Sequence, residues 1–337
     1  MKQSTDRILT THVGSLPRPT DLIPLLQAKN NGDAYDPDQL EELLTHAVEK
    51  MVEQQIAHGI DVVSDGEMSK LSYTTYILLA VYQAWPTRTM SRLWVAPHQH
   101  GTNGKRGVTR QSDMAAHPDY VAQIQARERQ IVGDIRFPKC VCALHYENME
   151  PLEQDLARFR GIVNQLHPTG AFLPAASPGV LSTFIANQHY ATNEAYLAGL
   201  ADAMQTEYEA IADAGFVLQI DCPDLAASNH TVYQHLSEHA WLKVMETHVE
   251  VLNHAVRNIP AEKMRMHICW GNYEGPHTHD VAWFKVAPVV FKAKPQAILF
   301  EAANPRARTR IRRFYLCDDS GRQNFSTWRT GHDHELC

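Results

Sequence analysis

Two stretches far apart in the chain are built on one pattern, and that pattern restricts the fold more than any other feature. The first, DPDQLEELLTHAVEKMVEQQIAHGIDVVSDGE, spaces Leu40, Leu44, Ala47 and Met51 as one face of a helix. It stops at Gly59, runs through IDVV and ends on acids. The second, NEAYLAGLADAMQTEYEAIADAGFVLQIDCPD, does the same with Leu197, Leu200, Met204, Tyr208 and Ile211, then Gly215, FVLQI and Asp221. A helix, a glycine stop, a short apolar strand and a polar strand end make one helix–strand unit. Strands that are apolar on both sides suit a parallel sheet covered by helices on both faces.

Further strand candidates are ILTTHVG, KCVCAL, GAFLPAAS, RMHICW and QAILFEA; EQDLARFRGIVNQL and WLKVMETHVEVLNHAV read as helices between them. Alternation of this kind, without a GxGxxG or phosphate-loop motif, predicts an α/β fold of the TIM-type (β/α)8 barrel. Such barrels gather their chemistry at the C-terminal ends of the strands. Those ends carry His12, Glu67, Asp221, His267, Cys269 and Glu301, which predicts one shared site. Residues 83–138 break the rhythm with Trp85, Trp94, His98, His100 and many Arg, and read as an insertion over the barrel mouth or a surface excursion.

Bulk properties exclude several classes. A chain of 337 residues, 44% hydrophobic, can bury a large core, and its net charge of −7 gives no general attraction for nucleic acid or anionic membrane. No apolar leader or spanning run is visible, and six scattered cysteines follow no disulfide scaffold. The expectation is a cytoplasmic protein acting on small molecules, with its thiols reduced.

The segment MHICWGNYEGPH is the most chemical of the strand ends. Alternation along a strand projects His267 and Cys269 from one face, and Glu301 ends the next strand candidate. Imidazole, thiolate and carboxylate are a plausible zinc set. A buried hydrophobic Cys269, and a Glu301 that caps a helix or pairs with Arg306, are the alternatives.

Taken together, TTHVGSLPRP, DVVSDGE, LQIDCPDLA, HICWGNYEGPH and LFEAANPR resemble the catalytic C-terminal domain of cobalamin-independent methionine synthases. The likeness is closer still to the short single-barrel relatives in the uroporphyrinogen decarboxylase-like superfamily. It runs from about residue 8 to residue 306, with the motifs in the family's order. It implies a barrel binding Zn2+ through His267, Cys269 and Glu301, with a later cysteine as fourth ligand. It further implies homocysteine held by the backbone at Val13, Gly14 and Ser15 beside His12. Glu67 and Asp221 would bind its ammonium group and act as the catalytic carboxylates. The implied reaction is methyl transfer from a methyltetrahydrofolate-type donor to the thiol; alkyl transfer to another small thiol, with an epoxide as donor, is the sister reading.

Three departures bear on that implication. Ala227 stands where the family has a folate-contacting carboxylate, and the motif reads Asp-Cys rather than Asp-Glu. The duplicated N-terminal barrel of full-length relatives is absent. From Pro305 the chain carries seven Arg and no apolar run long enough for two strands. The expectation is therefore a catalytic barrel over 1–306, missing or altered in its last one or two strands, followed by an atypical Arg-rich tail over 307–337. On that basis the chain is either an active transferase or a weak zinc-binding barrel. Cys317, Cys337 and the HDHELC end are poor positional matches for the missing ligand. Cys140 and Cys142 read as buried core. Cys222 faces the site or packs under the next helix, and HTHD at 277–280 is either a support for the metal strand or a solvated loop.

Overall fold

The computed structural model of the chain describes residues 1–72, 76–77, 80, 94–95, 111–120, 122–123, 137–271, 277–302 and 324–327. Most of the 83–138 segment, and both Cys317 and Cys337, lie outside them.

The two helix–strand units form as their spacing dictates. Helix Pro37–Ala57 starts at Asp36, whose side chain accepts from the Asp38 and Gln39 amides, and buries Leu40, Leu44, Ala47, Val48 and Val52. Helix Asn193–Asp213 starts at Thr192 in the same way and buries Leu197, Leu200, Met204, Tyr208 and Ile211. Burying each large apolar side chain contributes roughly 2 kcal/mol, and this is what fixes each helix against the sheet. Gly59 and Gly215 end the units at φ 78° and 91°, the left-handed region that glycine enters without a Cβ clash.

The strands are β1 (Val62–Val63), β2 (Trp94–Val95), β3 (Phe137–Cys140), β4 (Gly170–Ala176), β5 (Ala186–Asn187), β6 (Val217–Asp221), β7 (Met264–Ile268), β8 (Ala297–Phe300) and β9 (Asn324–Thr327). Six of them form one parallel sheet in the order β1-β4-β6-β7-β8-β9. The ILTTHVG segment joins it at the β1 edge through a parallel bridge from Thr11 to Val62.

One side chain shows that this sheet curls. Arg265 on β7 donates to the Thr11 hydroxyl and to the His12 carbonyl, each at 3.3 Å, although β6, β4 and β1 stand between β7 and Thr11 in the strand order. A flat sheet would keep those residues about four strand spacings apart, roughly 19 Å. The described strands therefore form a half-barrel of the TIM type, its interior filled by alternate residues of each strand.

Two expectations need correction. KCVCAL does not enter the barrel sheet, because β4 pairs directly with β1. Instead β3 lies between β2 and β5 in a separate three-stranded sheet. Cys140 is buried there and its thiol donates to the Cys142 carbonyl, whereas Cys142 is exposed, so the two do not share a buried face. The tail also does more than expected: β9 pairs in parallel with β8 over four residues, Ala297 opposite Asn324 through Phe300 opposite Thr327. Parallel pairing needs backbone N–H and C=O groups more than an apolar pattern, so a polar segment can supply it. Among the described residues no helix is long and apolar enough to cross a membrane.

Candidate functional site

The C-terminal ends of β1, β6, β7 and β8 bring the expected residues together. Asp221 pairs in register with His267, and the Cys222 amide donates to the His267 carbonyl at 2.8 Å, so these two strand ends are locked side by side. Asp221 Oδ1 lies 3.3 Å from His267 Nδ1 and accepts from Gln219 Nε2 at 2.9 Å. Cys269 leaves β7 two residues beyond His267. Its thiol is pushed up to about 12 by burial first, then by the carboxylates of Asp221 and Glu301, which places all three groups in one electrostatic neighbourhood.

Glu67 reaches the same neighbourhood from the loop after β1, and the loop is strained to put it there. Gly66 and Glu67 both adopt left-handed backbone, with φ 67° and 56°. For a glutamate this costs about 1 kcal/mol or more and needs support. Asp65 supplies it by accepting the Glu67 amide at 3.0 Å, and Arg18 clamps the outside by donating to the Glu67 and Lys70 carbonyls. Burial pushes the Glu67 carboxyl up to about 7, Lys70 opposing that shift and Asp221 adding to it. Glu67 and Asp221 are therefore neighbouring carboxylates in a partly buried place, and an arriving cation would relieve both.

Resident cations also stand there that the motifs did not reveal. Lys70 is buried, donates to the Pro174 carbonyl at 3.0 Å and lies 4.6 Å from the Tyr76 ring. Burial alone would lower its ammonium, but Glu207, Asp65, Glu67 and Asp155 outweigh that and hold it above its ordinary value. Arg265 fills the barrel floor beneath Asp221, its guanidinium 3.7 Å from the Phe172 ring centre. The signal for Arg265 was available: a cation two residues before His267, on the same strand face. Lys70 carried no such signal, since SDGEMSK reads as a turn.

Val13 is half-buried, and Gly14 and Ser15 are exposed beyond the Thr11 bridge; a Cβ on Gly14 would meet no atom within 4 Å. His12 is committed within the protein, its Nε2 2.9 Å from Gln55 Oε1 and 3.1 Å from Ser64 Oγ. Cys222 turns out to pack under the following helix: its thiol is buried and is pushed well up by burial and by Asp224. The HTHD loop is tied down, with His277 3.1 Å from Asp280, and His279 and Thr278 on Asp113.

The donor types at His267, Cys269 and Glu301 suit zinc, and the mutual repulsion at Cys269 is of the kind that a dication removes. Among the described residues, however, no three His, Cys, Asp or Glu side chains are placed to hold one ion. The three donors stand on adjacent strand ends without forming a closed ligand set.

No family model matches the chain. A methionine synthase of Saccharolobus solfataricus is 24% identical over 295 residues, spanning 86% of this chain and 72% of that protein. The methionine synthase of Sulfurisphaera tokodaii is 23% identical over 267 residues, 78% of this chain and 62% of its own length. Among solved structures, a B12-independent methionine synthase from Shewanella sp. W3-18-1, in complex with selenomethionine, superposes with a TM-score of 0.64. The match covers 95% of this chain and 80% of that one at 16% identity. The putative vitamin-B12-independent methionine synthase of Listeria monocytogenes gives 0.57 over 98% and 84%, at 18% identity. With relatives aligned along most of its length and a barrel-type fold beneath the alignment, this chain is similar to methionine synthases in sequence and to the B12-independent methionine synthases in fold.

Proposed function

We propose that the chain transfers a methyl group from a methyltetrahydrofolate-type donor to the thiol of homocysteine, with zinc held by His267, Cys269 and Glu301. The observation that carries this reading is Asp221, 3.3 Å from His267 Nδ1 at the β7 end and near enough to Glu67 to help raise its carboxyl. Two such groups so close to a soft donor pair match a substrate with an ammonium at one end and a thiol at the other. The ammonium would be received by Glu67 and Asp221, and the amino-acid portion by the open backbone at Val13, Gly14 and Ser15. That would direct the thiol toward Cys269 and Glu301. The chemistry zinc supplies when bound is to keep the substrate sulfur as thiolate at neutral pH, where a free thiol is mostly protonated.

A second reading, alkyl transfer to a different small thiol, is favoured by one feature. Apart from Asp221 itself, the carboxylate nearest Ala227 along the chain is Asp224, which is buried and bonded to His248 Nδ1 at 2.8 Å and to the Ser177 hydroxyl at 2.9 Å. It cannot substitute for the family's folate contact. Metal analysis of the purified protein, with thiol consumption followed for homocysteine plus methyltetrahydrofolate, tests both. About one zinc per chain, lost on Cys269→Ser together with methionine formation, is the expected result. Zinc binding without methionine formation, but with consumption of another thiol and an epoxide, would select the second reading. No zinc and no turnover would reject both.

A further inference from the structure

Asp221 is held by a relay that begins on the opposite side of the barrel. Arg265 can only donate, and its Nε donates to Gln219 Oε1 at 3.0 Å. This fixes which end of the Gln219 amide points where: the oxygen faces Arg265, so the Nε2 end faces Asp221 and donates to Oδ1 at 2.9 Å. The His267 contact falls on the same oxygen. Among the described residues no hydrogen bond falls on Oδ2. Gln219 is fully buried and Arg265 nearly so, and the guanidinium is braced by the Phe172 ring, the Thr11 hydroxyl and the His12 carbonyl. The brace thus runs from the strand that carries the Gly14–Ser15 turn to the strand end that carries Asp221.

We propose that Gln219 and Arg265 are the positioning pair for the amine-binding carboxylate: they anchor Asp221 through Oδ1 and leave Oδ2 to accept the substrate ammonium. This rests on the assignment of an amino-thiol substrate above. Neither residue touches the reacting atoms; each acts through Asp221. Arg265 further sets the distance between Asp221 and the Gly14–Ser15 turn, because it bonds to both strands. A substrate whose amine and carboxylate bridge the two is thereby measured by a fixed span. Buried polar groups of this kind are useful only if every member is satisfied, and a guanidinium on an amide oxygen, a hydroxyl, a carbonyl and an aromatic face meets that condition without a neutralising carboxylate bonded to it.

Calorimetric binding without any methyl donor tests this, using L-homocysteine and 4-mercaptobutyrate, which has the same thiol and carboxylate but no amine. Gln219→Met should weaken homocysteine binding by about tenfold and leave 4-mercaptobutyrate unchanged within about twofold. Because Gln219 acts through Asp221, Gln219→Met combined with Asp221→Asn should bind homocysteine no more weakly than Asp221→Asn alone. If Gln219→Met does not fold, Arg265→Lys answers the same question. A point charge cannot fork between Gln219 and Thr11, so the same selective loss of homocysteine binding is expected at a smaller factor. Equal loss for both thiols, or additive losses in the double variant, would overturn the positioning role while leaving the amino-thiol assignment standing. Wild-type protein that binds 4-mercaptobutyrate as well as homocysteine, or binds neither, would overturn the assignment and the relay together. Homocysteine binding with the expected losses but no methyl transfer would uphold the relay and reject only the transfer chemistry.

Discussion

Glu67 shows how much one residue is asked to do. It sits in left-handed backbone, half-buried, with its carboxyl held at about 7 against an ordinary 4.5. A folded-state value above the unfolded one means that the folded chain keeps a proton that the unfolded chain gives up between those two pH values. The stability linked to Glu67 is therefore fully present below about 4.5 and is lost as pH rises through about 7. Glu67→Gln, which cannot ionise, should leave stability near pH 4.5 almost unchanged. At pH 8 it should raise stability by on the order of 2 kcal/mol, a figure discounted for partial exposure. Denaturant midpoints of both proteins at the two pH values check this, and a variant equally shifted at both would mean that the carboxyl is not held up by burial. The same substitution should weaken homocysteine binding at pH 8, because the group that costs stability is the group the ammonium relieves. Glu67 was legible from its motif, but its strain and its raised carboxyl were not, since the first is held by Asp65 and Arg18 and the second comes from burial with Asp221 and Asp65 nearby.

At the scale of elements, two strands read differently in sequence and in space. In β6 and β7 the interior face is polar at every second residue: Gln219 with Asp221, and Arg265 with His267. The sequence displays the upper member of each pair as a strand end and hides the lower one in an apolar run. The strand register sets Gln219 and Arg265 side by side, and only the curl of the sheet brings Arg265 on to Thr11 and His12. KCVCAL failed as a barrel strand for a related reason, because apolar alternation specifies a strand but not which sheet accepts it. The short helix Pro178–Phe184 illustrates how tightly these elements are fitted. A Cβ at Gly179 would stand 2.1 Å from Asp224 Oδ2 and 2.6 Å from His248 Nδ1. Both partners are buried and bonded to each other, so neither can yield cheaply. Gly179→Ala should cost about 2–3 kcal/mol through overpacking and loss of that pair, read as a lowered thermal midpoint. An unchanged midpoint would show that the helix can shift as a body.

At the scale of the whole molecule, the fold class follows from the repeated helix–strand units, whose buried faces are those their spacing picks out, while the end of the sheet does not. The Arg-rich segment after Pro305 offers no apolar run, yet Asn324–Thr327 lies in register along β8. The gain comes from backbone: β8 is buried on all four residues, and an edge strand in that position would otherwise leave its N–H and C=O groups without partners. The contribution of β9 is then testable apart from its side chains. Ser326→Pro removes one N–H and fixes φ in the middle of the pair, and proline is tolerated in a strand only where the ladder does not need its donor. If β9 completes the sheet, the variant should lower the thermal midpoint by several degrees, consistent with a loss of about 2–3 kcal/mol. It should also bind more of a dye that reports exposed apolar surface, because Ile298 and Phe300 lie at the edge that β9 covers. Serine-to-alanine at the same position keeps the backbone donor and should be close to neutral. A proline variant as stable as the alanine variant would mean that β8 is the true edge of the sheet and that residues 324–327 only lie alongside it. The barrel would then have to satisfy its last strand by other means.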